Sequence, residues 1–285
     1  MCRLFGMASG PERVTATFWL LDAHDSLARQ SRREPDGTGL GWYHPETHPE
    51  RLRDPEPAWR DPSFSRDAKE VRSRTFIAHV RLASVGGLSV ENTHPFLMQD
   101  RMLAHNGHIG GLHELEARLG AARELVRGET DSERFLALVT TEVDRLGDVE
   151  RGLVSAARWV AEHLPLYALN IILTTHTDLW ALRYPDTHEL WMLEREPHGG
   201  RHLDATSAAG TVRVRSQDLA RLPSVIIASE PMTESRAWTL MEPGELLHVD
   251  RNLRTTRRVV LPHPPKHQLS LQDLEPRAAE SQRSR

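Results

Sequence analysis

Met1-Cys2-Arg3-Leu4-Phe5-Gly6 opens the chain and holds the only cysteine among 285 residues, directly behind the initiator methionine. Methionine is normally trimmed when the next residue is small, and cysteine qualifies. Trimming leaves Cys2 with a thiol and a free α-amine on one residue. An α-amine titrates near ~8 and a free thiol near ~8.5, so the residue carries a nucleophile together with its own base. Read for packing alone, the same stretch is a first strand with a small buried hydrophobe at its start. Both readings make Cys2 to Ser9 a strand, closed by Ser9-Gly10-Pro11.

Composition narrows the class. Hydrophobic residues are 39% and charged residues 27%, the balance of an ordinary globular chain of one large or two small domains. A single cysteine excludes an intramolecular disulfide and gives no sign of an oxidising compartment. No apolar run approaches the roughly 20 residues of a membrane helix. Asp22, His24 and Asp25 interrupt the early apolar stretch, which excludes a signal-peptide pattern. A cytoplasmic protein is expected. Lys+Arg 36 against Asp+Glu 40 gives no electrostatic case for nucleic acid. The sixteen histidines are scattered. With no His-Glu-x-x-His or Cys-x-x-Cys pattern, neither metal nor cofactor is expected.

Downstream, Pro35-Asp36-Gly37-Thr38-Gly39 is turn chemistry leading into a strand at Leu40 to Tyr43, and Pro45 to Pro62 reads as a surface loop. Thr75 to Ser84 alternates as a strand with Arg81 near its end. Arg101 to His105 is a brief strand stopping at the turn dipeptide Asn106-Gly107. Helical spacing covers Leu112 to Leu119, Ser132 to Leu146 (through Phe135, Leu138, Val139 and Val143) and Val149 to His163. From Tyr167 the pattern turns to strands: Tyr167 to Thr175, Leu179 to Tyr184, Glu189 to Leu193, Thr211 to Arg215, Ser224 to Ser229, Glu245 to Asp250 and Arg257 to Leu261. Strands, helices, then strands fit two sheets covered by helices. Residues 2–261 are expected to form one domain, and the polar 262–285 a disordered tail.

Three stretches carry possible chemistry, each with a plainer alternative. In His79-Val80-Arg81, an arginine ending a strand is a surface charge, or a guanidinium that holds a carboxylate through two hydrogen bonds. In His105-Asn106-Gly107, Asn-Gly is a hairpin turn, or an amide and a backbone N–H converging on one oxyanion. In Gly128-Glu129-Thr130-Asp131-Ser132-Glu133, Asp131 or Ser132 caps a helix, or Asp131 accepts from a substrate ammonium.

Taken in order, Met1-Cys2, Pro35-Asp36-Gly37, His79-Val80-Arg81, Asn92-Thr93-His94-Pro95-Phe96, His105-Asn106-Gly107 and Glu129 to Glu133 resemble the class II glutamine amidotransferases of the N-terminal nucleophile hydrolase superfamily. The likeness is greatest to stand-alone members, and its motifs span roughly residues 1 to 140. It implies an α+β fold, a four-layer αββα sandwich. It implies Cys2 as nucleophile with its α-amine as base, and Asn106 and Gly107 as the oxyanion hole. Arg81 would hold the substrate α-carboxylate and Asp131 its α-ammonium. Where the family commonly has Thr-His after the arginine motif, this chain has Ser84-Val85, so Ser84 can still offer a hydroxyl to substrate while Val85 replaces no histidine. The implied reaction is cleavage of a γ-glutamyl amide through a Cys thioester. Three functions stay open. One is a hydrolase of glutamine or a γ-glutamyl conjugate. Another is a glutaminase handing ammonia to a separate synthase partner. The third is a non-catalytic binding scaffold of the same fold.

Overall fold

Alternation along the first strand sets up two separate cores. In β1 (Arg3–Ala8), Phe5 and Met7 point to one side and Leu4 and Ala8 to the other, all of them buried. The computed structural model describes residues 2–44, 48–82, 86–197, 203–206, 213–216 and 222–283, with backbone alone for 203–206 and 213–216. After β1 come α1 (Leu27–Gln30), β2 (Thr38–Tyr43), β3 (Pro49–Asp54), α2 (Pro62–Glu70) and β4 (Thr75–Val80). Next are β5 (Phe96–Met98), β6 (Arg101–Ile109), α3 (Leu112–Leu119), α4 (Asp131–Leu146) and α5 (Val149–His163). The remainder is β7 (Pro165–Thr174), β8 (Leu179–Arg183), β9 (Trp191–Arg195), β10 (Leu203–Thr206), β11 (Arg213–Ser216), β12 (Ser224–Ala228), β13 (Thr239–Leu240), β14 (Glu245–Val249), β15 (Thr255–Val259), β16 (His267–Gln268) and α6 (Pro276–Gln282).

One sheet runs β13-β9-β12-β1-β4-β2-β3, the other β15-β14-β8-β7-β6-β5, with β16 added in parallel beside β7. The main ladders are antiparallel. Leu4, Ile77, Ala104, Ile172, Ala181, Ile227 and Leu247 fill the space between the sheets. The outer face of the first sheet packs Phe5, Phe76, Ala78 and Ile226 against Phe18 and Trp19 of a helical turn, Leu27 of α1 and Phe64 of α2. The outer face of the second packs Leu103, Leu169, Ile171 and Leu173 against Leu115, Phe135, Val139, Leu153 and Val160 of α3, α4 and α5. The result is the four-layer αββα order, generated by period-2 strands with both faces covered and helices with one apolar stripe.

Three features depart from the sequence reading. The proposed loop after Tyr43 contains β3, whose Pro-Glu-Arg-Leu-Arg-Asp sequence is half-buried at the sheet edge and lacks an apolar run to announce it. The segment after Pro262 is ordered in its described part. It pairs through β16 and packs Leu274, Ala278 and Ala279 of its last turns against Tyr167 and Ala168. Its few apolar residues, leucines and alanines scattered among polar ones, are spaced to meet one patch on β7. The strand expected at Thr211 to Arg215 is described only as β11 (Arg213–Ser216), Thr211 and Val212 lying outside the described residues.

Candidate active site

The antiparallel register of β1 and β4 places Arg3 opposite Val80, so the start of one strand adjoins the end of the other. Cys2 therefore meets Leu82. The Leu82 N–H donates to Cys2 Sγ at 3.3 Å, and the thiol donates to the Leu82 carbonyl at 3.4 Å. Burial pushes the Cys2 thiol up; the Leu82 hydrogen bond and the Arg81 charge act the other way. The Cys2 carbonyl accepts from Asn106 Nδ2 at 3.1 Å and from Arg3 Nη1 at 3.4 Å. Arg3 is itself buried and paired with Glu230 at 2.8 Å. The residue preceding the first strand is thus held at its sulfur and its carbonyl.

Asn106 and Gly107 do not make a turn. They lie inside β6, opposite Asn170 and Leu169 of β7. The expected hairpin is absent because β6 continues to Ile109, with the ladder shifting register between His108 and Ile109. Gly107 is required there, since a Cβ would run into the Ala168 carbonyl oxygen and the His105 ring. The N–H of Ile109 at the irregularity donates to Asp131 Oδ2 at 2.8 Å. Asp131 is the first residue of α4 and also accepts from the Ser132 N–H at 2.9 Å. The cap of α4 is Thr130, whose Oγ1 accepts from the Glu133 N–H at 3.3 Å, rather than Asp131 or Ser132 as expected. Glu133 turns back past the cap to accept from the Gly128 N–H at 2.6 Å and the Arg127 N–H at 3.1 Å, which ties the preceding loop to the helix start.

Arg81 is buried just beyond β4. The Asp36-Gly37 turn fixes its backbone: Arg81 N–H donates to Gly37 O at 2.8 Å, and Asp36 N–H to Arg81 O at 3.0 Å. Its Nη1 donates to Gly87 O at 3.1 Å. The same loop is tied to the helix start, because Glu129 Oε2 accepts from Gly87 at 3.1 Å and from Asn92 Nδ2 at 3.2 Å. Burial lowers the Arg81 pKa, opposed by the Cys2 thiolate, Asp36 and Asp131. Ser84 lies outside the described residues.

Cys2, Arg81, Gly107 and Asp131 line one cleft together with His79, Leu82, His94, His105, Thr130 and Ser132. Asn106 borders it through its bond to Cys2. The cleft is narrow, with open room on the order of one water molecule, so a larger group is admitted only if its walls part. Chemically it offers a thiol, amide N–H donors, one cation and one anion in a water-poor setting. Among the described residues no group of three or more His, Cys, Asp or Glu is arranged to hold a metal ion. No described helix is long and apolar enough to cross a membrane.

The histidines were not anticipated as cleft residues. Their wide separation in sequence hides that β4, β6 and the loop before β5 bring His79, His105 and His94 together. His79 and His94 have ring centroids 4.1 Å apart. His105 bridges Ser132 Oγ at 2.9 Å and the Ala168 carbonyl at 3.1 Å, tying α4 to β7. Burial pushes His79 down to about 3, and His188, outside the cleft, down to about 4. These folded-state values lie below the unfolded ~6.5, so the unfolded chain binds protons first as pH falls. Stability is full above about pH 6.5 and is lost progressively below it, by about 1.4 kcal/mol per pH unit for each such histidine. Thermal melts should show Tm falling between pH 6.5 and 5, above the range where carboxylates protonate; a flat Tm there would contradict the buried neutral state.

A family model described as glutamine amidotransferases class-II matches residues 1–271. The Saccharomyces cerevisiae protein named "Probable glutamine amidotransferase DUG3" is 27% identical, over 84% of this chain and 75% of its own length. The γ-glutamyl-hercynylcysteine sulfoxide hydrolase of Mycobacterium tuberculosis is 28% identical, over 87% of this chain and 93% of its own. Among solved structures, a glutamine aminotransferase class-II domain protein from Silicibacter pomeroyi superposes with a TM-score of 0.57 at 21% identity, over 92% of this chain and all of that one. An allosteric regulatory enzyme of purine biosynthesis superposes at 0.64 with 18% identity, over 92% of this chain and 50% of that one. These two likenesses speak for the fold.

Proposed function

Because the chain belongs to the class II glutamine amidotransferases, we propose that it is an N-terminal-cysteine amidohydrolase acting on a γ-glutamyl amide. The observation that carries this reading is the convergence of Cys2, Asn106, Gly107, Arg81 and Asp131 on one cleft from four separate stretches of chain. A γ-glutamyl group has a zwitterionic head and an amide carbonyl a few bonds away. Arg81 and Asp131 are a cation and an anion suited to the head, while Cys2 and the Asn106 and Gly107 N–H groups suit the carbonyl.

With Met1 removed, the α-amine of Cys2 takes the thiol proton, directly or through a water. The thiolate adds to the γ-carbonyl, and the oxyanion is held by the Asn106 side chain and the Gly107 N–H. The C–N bond breaks, its nitrogen takes the proton from the α-ammonium, and ammonia or an amine leaves. Water, deprotonated by the same amine, opens the thioester and releases glutamate with the thiol restored. In a chain that keeps Met1, the Cys2 nitrogen is a peptide nitrogen and supplies no base. The M. tuberculosis relative is named as a hydrolase of a γ-glutamyl conjugate, which favours such conjugates, alongside glutamine, as the substrate class.

Glutamate release from glutamine and from a panel of γ-glutamyl amides, with intact mass measured on the same sample, tests the proposal. Activity is expected only in protein lacking Met1, and a glutamine-mimicking diazoketone should add one equivalent of label per chain, on Cys2. An active protein that retains Met1, or label on another residue, would sink this mechanism.

A further inference from the structure

Helix α6, at the far end of the chain, reaches back to the strand that carries the oxyanion donors. Gln282 is almost fully buried, at 2% exposure. Its Nε2 donates to the Gly107 carbonyl at 3.1 Å and to Ser281 Oγ at 3.2 Å. Its Oε1 accepts from His188 Nε2 at 2.7 Å. These contacts agree on one orientation of the amide: two acceptors face the NH2 group, and a ring N–H faces the oxygen. His188 is neutral above about pH 4, so it keeps one N–H for that bond.

The position of this contact matters. Ladder register shifts just past Gly107, between His108 and Ile109, and a strand irregularity leaves backbone groups without ladder partners. Asp131 takes the N–H of Ile109, and Gln282 takes the carbonyl of Gly107. The irregular segment is thus gripped from both sides by side chains. Gly107 lines the cleft, so its bond to Gln282 places the end of α6 beside it.

We infer that Gln282 is a positioning residue: through the Gly107 carbonyl it holds the Asn106-Gly107 segment of β6 in the geometry needed to stabilise an oxyanion. The inference rests on the oxyanion role proposed above for Gly107. Gln282 touches neither the thiol nor the cleft-lining groups on Arg81 and Asp131, so its loss should affect the acyl-transfer barrier rather than binding of the glutamyl head.

Gln282→Met keeps the length and apolar stem and removes the donor. Turnover of a γ-glutamyl amide is expected to show kcat lowered about tenfold, on the scale of part of an oxyanion-donor loss, with KM within about twofold. Alkylation of Cys2 by iodoacetamide, a displacement that forms no oxyanion, should keep its wild-type rate. Amide hydrogen exchange in the 101–109 peptide should rise severalfold while that of β1 and β4 stays unchanged. Unchanged kcat, or unchanged exchange in that peptide, would overturn the inference; so would parallel losses in turnover and alkylation, which mark general disorder. If the wild-type protein cleaves no γ-glutamyl amide, the catalytic reading fails by itself, and unchanged exchange would separately refute the grip on β6. Raised exchange in such an inactive protein would leave Gln282 as a strand support only and refute its part in catalysis.

Discussion

Replacing Cys2 by alanine should lower γ-glutamyl amide cleavage by on the order of 10⁵-fold or more, the scale seen when a covalent nucleophile is removed from a hydrolase. Here the residue would supply the attacking atom and, through its α-amine, both proton transfers. The alanine variant keeps the amine, so it isolates the sulfur. The fold should survive. The side-chain hydrogen bonds of Cys2 are to the Leu82 backbone, and their loss costs about 1–2 kcal/mol. The first strand meanwhile keeps its ladders to β4 and β12. The measurement is glutamate release together with a thermal melt. Residual turnover within tenfold of wild type in a folded Cys2→Ala protein would show that another group performs the attack.

Asn106→Ala should reduce kcat by about 100- to 1,000-fold, the usual consequence of deleting one oxyanion donor. One N–H of its amide already holds the Cys2 carbonyl at 3.1 Å, which leaves the second for the developing oxyanion. Truncation therefore removes both the proposed oxyanion donor and an anchor of the Cys2 backbone. Stability should change little, by about 1 kcal/mol, because Asn106 Oδ1 is buried without a partner and its removal offsets part of the lost bond. The diagnostic pattern is a fall in kcat with KM moved much less. A variant with near-normal kcat and a raised KM would assign Asn106 to substrate binding instead.

The parts of this molecule that were legible in sequence are those where local pattern and final structure agree. The helices α4 and α5 followed from apolar spacing, since Phe135, Leu138, Val139 and Val143 do face one core. The order of the motifs announced the family, but not how the motifs meet. Asp36-Gly37 reads as a turn and is one; that it clamps the backbone of Arg81 requires knowing that β2 and β4 are neighbours. Asn106-Gly107 misled because a dipeptide preference for turns was overridden by pairing with β7. The segment after Pro262 misled for the opposite reason. A polar composition is a sound argument against an independent core, yet it says nothing about a segment that borrows a patch from an existing one. Likewise no spacing rule unites His79, His94 and His105, because strand topology alone gathers them.

The proposed nucleophile rides on one sheet and the proposed oxyanion donors on the other, and packed hydrocarbon, together with the Asn106–Cys2 hydrogen bond, fixes the span between them. Gly6 shows how little slack there is: a Cβ at that position would stand 3.0 Å from both Ile172 and Leu179. On the proposed mechanism, the interlayer filling behaves as a caliper for the reacting atoms. A methyl group added at Gly6 or removed at Ala104 would reset the jaw width, so a change confined to this greasy seam should alter turnover while every polar residue stays in place.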